Sequence, residues 1–92
     1  MNISRFDTVG YFIKHYFNWS MNDSDLENLI EDFLKRENKE TIKEFRSEIE
    51  ILYLLNNTDI IREVFSKLGN RGVKTKEAKG TVKMLYEKSK KK

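Results

Sequence analysis

The chain has no cysteine and no proline, a single histidine, and four glycines among 92 residues. Without cysteine there are no disulfides and no thiolate chemistry. A small domain lacking such staples suits a reducing compartment, so a cytoplasmic location is expected. Without proline, nothing in the sequence forces a break in a long helix. The lone histidine, His15, has no second histidine or cysteine with which to share a metal, and no HExxH spacing surrounds it. Crowded by Tyr16, Phe17 and Trp19, it reads as part of an aromatic-flanked helix rather than as a catalytic base. The "GNRG" segment, 69–72, is too short for a phosphate loop, and Thr75 does not follow a Gly-Lys pair. Carboxylates are plentiful, but acid–base pairs need burial and mutual placement to pull their pKa values apart. Those here fall on the polar sides of amphipathic helices. The expectation is a non-enzyme with no cofactor and no metal.

Long apolar runs are also missing. Lys14 and His15 interrupt "YFIKHYF", and "MNISRF" leads into nothing hydrophobic, so neither a signal peptide nor a membrane span is expected. What remains is a 92-residue chain that is 38% hydrophobic and 36% charged. That is enough for one domain with one modest core, burying about 60–65% of its unfolded surface.

The net charge of +3 conceals a division along the chain. Residues 1–69 carry 13 acids and 9 bases, a balance of −4, whereas residues 70–92 carry 2 acids and 9 bases, a balance of +7. The body is acidic and the C-terminal segment basic.

Apolar spacing is helical throughout, and no period-2 run is long enough for a strand. A first helix is expected from Ser4, capped through Asp7, with Phe6, Val9, Ile13 and Phe17 on one stripe and Phe12 and Tyr16 beside it. Gly10 in its middle weakens it by about 1 kcal/mol relative to Ala, which a close approach by another element would explain. "NWSMND" reads as a loop. Ser24 and Glu27 form an S-x-x-E box opening a second helix, whose apolar face is Leu26, Leu29, Ile30, Phe33 and Leu34. A third helix spans Asn38 to Asn56. Its "ILYLL" end is apolar on nearly every side, as befits a central helix or, in part, a contact surface. Thr58 caps a fourth helix that Gly69 stops. Thr75 opens a fifth, weaker one on Ala78, Val82 and Leu85. Beyond it, residues 87–92 should fray as a basic tail. The fold class is all-α, a small bundle of four to five helices in a single domain.

The most one-sided stretch is "MNDSDLENLIEDF", with Asp23, Asp25, Glu27, Glu31 and Asp32 and no Lys or Arg from His15 to Leu34. On a helical wheel these acids spread across the whole polar side of the second helix. Glu27 and Glu31 stand four apart, a like-charge pair that costs about 0.2–0.5 kcal/mol. Glu31 and Asp32 also lie toward the helix end that favours cations. Such a face is either solvated, with the lysines of the tail to neutralise it, or a docking surface that steers a basic partner. Trp19, at its lip, is either a core plug or an interface anchor. The lysines of residues 74–92 suit a solvated end, a phosphate-backbone patch or a counter-charge to the body. No helix-turn-helix spacing and no interleaved aromatics accompany them, which argues against direct nucleic-acid binding. Homo-oligomerisation is left open.

The order of features resembles one family of small immunity proteins from bacterial contact-dependent growth inhibition (CDI) systems. The features are the triplet Gly10-Tyr11-Phe12, the aromatic loop "YFNWS", the acidic helix "SDLENLIEDFL", the step Glu48-Ile49, the Leu68-Gly69 end and a last helix from Thr75. The resemblance implies a cytoplasmic, non-catalytic antitoxin. Such a protein binds a cognate toxin domain, many of them nucleases with basic substrate surfaces, and occludes its active site or substrate path. The expected toxin-binding residues are Trp19, Asp23, Asp25, Glu27, Glu31 and Asp32. A small nucleic-acid-binding or regulatory protein using the basic C-terminal segment is the alternative.

Overall fold

The computed structural model describes residues 3–18 and 22–90. Five α-helices form a bundle: α1 (Asp7–His15), α2 (Leu26–Arg36), α3 (Lys39–Leu55), α4 (Thr58–Glu63) and α5 (Thr75–Ser89). Short 3-10 turns, Ile3–Phe6 and Asp23–Asp25, precede α1 and α2, and a π-helical turn, Val64–Leu68, continues α4. Among the described residues there is no strand.

The apolar stripes expected from the sequence supply the core, although Leu29 and Leu34 of α2 are only half-buried. Phe12 of α1, Phe33 of α2 and Phe45 of α3 are fully buried and meet at the centre. Phe33 and Phe45 have ring centroids 4.8 Å apart, and Phe12 lies 5.2 Å from Phe33, edge to face. Around this knot α1 packs on α3 and on the π turn, while α5 packs on α2, α3 and α4.

Gly10 and Gly69 explain how α1 lies so close to the π turn. A Cβ on Gly10 would stand 2.5 Å from Leu68 Cβ, and one on Gly69 would overlap the Ile13 side chain. The close approach inferred for Gly10 is therefore real. Gly69 stops its segment at the expected place but for a different reason. Its φ is −100°, open to any residue, and the left-handed position is Asn70, φ 56°. What Gly69 supplies is space.

The helix starts differ from expectation in local chemistry. α1 is entered through the 3-10 turn, and Phe6, at its N-cap, offers no side-chain cap, so the Ser4–Asp7 box is not what starts it. The Ser24–Glu27 box is replaced by a reciprocal pair two residues upstream. Asn22 N–H donates to Asp25 Oδ2 (3.1 Å) and Asp25 N–H donates to Asn22 O (2.9 Å), which puts Ser24 inside the 3-10 turn. α4 is capped by Asn57, whose Oδ1 accepts from Ile60 N–H at 3.1 Å, rather than by Thr58; Asn is the stronger cap of the two. α3 begins and ends as expected, with Asn38 capping Thr41 N–H at 2.8 Å and a left-handed Asn56 closing it.

At the far end, α5 runs to Ser89 instead of fraying from residue 87. Ser89 is fully buried, and its carbonyl accepts from Arg46 Nε at 2.7 Å. The "ILYLL" segment divides: Leu52 is buried at the centre, but Leu54 is 69% exposed.

Candidate functional site

The acids of the second helix are distributed unevenly. Glu27, Glu31 and Asp32 are exposed, and Asp25 is half-buried beneath its bond to Asn22. Glu27 Oε2 takes an ion pair from Lys88 Nζ of α5 at 3.1 Å. One of the five acids is thus covered by the chain's own basic segment. Glu31 and Asp32 have no ion-pair partner among the described residues. Trp19 and the side chain of Asp23 lie outside what the structure describes.

The chain leading to Trp19 is held from a distance. The Arg71 guanidinium lies 3.8 Å over the Phe17 ring and donates through Nη1 to Asn18 O at 2.7 Å. In the sequence this arginine belongs to the "GNRG" segment, which showed only that it is too short for a phosphate loop. A stacked arginine in a loop leaves no periodic signal.

On the α3 side of α2 runs an open groove of about 830 Å³. Leu34 and Ile42, both half-buried, form its floor, and the exposed Lys35, Lys39 and Lys43 with Arg46 form its rim beside Glu31. Among the described residues no carboxylate stands within ion-pair distance of Lys35, Lys39 or Lys43. Lys39 and Lys43 repel each other at i, i+4, which costs about 0.2–0.5 kcal/mol. Lys39 also opens α3, at the end of the dipole that disfavours cations. This basic groove inside an acidic body went unnoticed because charge was summed by segment. The stripe Lys39, Lys43 and Arg46, spaced i, i+4 and i+7, was legible.

Opposite, α1 is tied to the α2–α3 corner through Glu37. Its Oε2 accepts from Tyr16 Oη at 2.6 Å and from Tyr11 Oη at 2.9 Å. Along the same side Glu48 Oε1 accepts from Val9 N–H at 2.9 Å, and burial pushes the Glu48 carboxyl above its ordinary range. The Tyr16 hydroxyl is pushed up to about 12, first by burial and then by its bond to Glu37. A phenol ionising near 10 in the unfolded chain and higher in the folded one contributes fully below pH 10. That contribution is lost as pH rises through the folded value. Stability should therefore decline between about pH 10 and 12, and Tyr16→Phe should flatten the decline. Urea midpoints of the two proteins at about pH 9 and pH 11 check this.

His15 is exposed and rests against Tyr11, ring centroids 4.8 Å apart. Among the described residues no group of three or more His, Cys, Asp or Glu side chains is placed to hold a metal. No helix among them is long and apolar enough to cross a membrane.

Fold and surface together define a small all-α protein whose distinctive features, among the described residues, are charged faces and a groove. A family model described as CdiI immunity protein matches residues 5–88, and the chain belongs to that family. No curated protein and no solved structure matches it.

Proposed function

We propose that this immunity protein neutralises a nuclease toxin in the cytoplasm by laying the polar side of α2 and the Trp19 loop over the toxin's active site or substrate path. The contact residues are Trp19, Asp23, Asp25, Glu27, Glu31 and Asp32. The observation that carries the reading is the pair Glu31 and Asp32, exposed, adjacent and unpaired among the described residues, on a helix end that electrostatics would give to cations. Carboxylates so placed can occupy phosphate-binding positions on a basic substrate surface, speed encounter and disfavour wrong partners. Glu27, shared with Lys88, contributes less than its neighbours.

The toxin should be encoded beside the gene for this protein and should co-purify with it at 1:1. Glu31→Lys/Asp32→Lys should weaken that complex at least tenfold, about 1.4 kcal/mol, and reduce its salt dependence. Titration calorimetry at two salt concentrations checks this, and unchanged affinity would rule the α2 contact out. Nucleic-acid binding through residues 71–92 is less well supported, since Lys88 pairs with Glu27 and Lys90 Nζ sits 4.5 Å over the Tyr86 ring.

A further inference from the structure

We infer that the groove between α2 and α3 receives an acidic, aliphatic segment of the toxin, a second contact opposite in sign to the acidic side of α2. The inference rests on the toxin-binding reading above. An open volume of about 830 Å³ is too large for one ion and has room for several side chains. Its half-buried floor, Leu34 and Ile42, asks for aliphatic groups. The rim, Lys35, Lys39, Lys43 and Arg46 against one carboxylate, Glu31, among the described residues, asks for carboxylates on either side of them.

Other occupants fit less well. Single-stranded nucleic acid is held by aromatic platforms, and among the described residues no aromatic side chain lines this groove. A second copy related by a two-fold axis would bring the same rim against itself, cation facing cation. Arg46 is already anchored through Nε to Ser89 O, so that end of the rim is held in place before any partner arrives. Two adjoining surfaces of opposite sign also fix the register of a partner that one charged face alone would leave free to slide.

The test uses the full-length protein and the purified toxin domain encoded beside it. Lys39→Glu/Lys43→Glu should weaken binding at least tenfold. The double variant Lys76→Glu/Lys79→Glu, with the same change in net charge on exposed positions of α5, should stay within about twofold. Glu at the start of α3 suits the helix dipole, so the groove variant should fold, as circular dichroism would verify. Equal affinity of wild type and groove variant overturns this inference and leaves the immunity reading standing. Failure of the wild type to bind the toxin overturns both. Light scattering that finds a dimer dispersed by Lys39→Glu/Lys43→Glu assigns the groove to a second copy instead. A short RNA or DNA duplex bound by wild type but not by that variant, with toxin binding unchanged, assigns it to nucleic acid. Either result overturns the proposal.

Discussion

Phe33→Ala should remove about 3–5 kcal/mol of stability, the usual cost of deleting a fully buried aromatic ring. Phe33 is 0% exposed and touches aromatic rings on every side: Phe12 at 5.2 Å, Phe45 at 4.8 Å and Tyr16 at 5.2 Å between centroids. The Phe12 and Tyr16 pairs are edge to face, an arrangement that adds about 0.5–1.5 kcal/mol each beyond the area buried. At roughly 0.05–0.15 kcal/mol per residue, a chain of this length has about 5–14 kcal/mol in all. Losing this one ring therefore threatens the whole fold. Phe33 also seats α2 against α1 and α3, so toxin protection should fail with stability. Urea denaturation gives the free energy directly, and a loss below about 1 kcal/mol would mean that α2 is not held by this knot.

Gly69→Ala should also destabilise, by about 1–3 kcal/mol, although its backbone suits alanine well. At an unstrained position such a change normally stabilises by about 0.4–1 kcal/mol, because the unfolded chain loses freedom. Here the added methyl would overlap the fully buried Ile13 and stand 2.9 Å from the Phe65 carbonyl, and neither can move aside. Gly80→Ala is the natural comparison. It lies in mid-α5 with nothing within 4 Å of its would-be Cβ, so about 0.5–1 kcal/mol of gain is expected. Melting temperatures should move in opposite directions, by roughly 4–8 °C per kcal/mol in a domain of this size. A shared direction would mean that α1 and the π turn are less closely packed than described above.

The helices were legible because their apolar stripes are long and regular. Phe45, Ile49 and Leu52 fall on one side of α3 in the sequence and in the core. The all-α class and the family followed from that pattern and from short aromatic and acidic motifs. Caps were less legible, since Asn22, Asn57 and Ser24 are near-equal candidates locally and tertiary geometry selects among them. The reach of α5 was misjudged because propensity weighs Gly80 and the lysines but not the burial of Ser89 or its bond to Arg46. At the candidate site, the acids of α2 could be placed on one face from spacing alone. That Glu27 is shared with Lys88, or that Lys39 and Lys43 border a groove, depends on which helices are neighbours. Periodicity carries no such information.

Residues far apart along the chain hold the proposed contact surface together. Arg71 grips Asn18 across 53 positions, and Lys88 reaches back 61 positions to Glu27. α2 therefore has no wall on its α5 side until α5 itself has been made. A chain that stops short of α5 lacks that wall, so on the proposed reading it should not bind the toxin with full affinity.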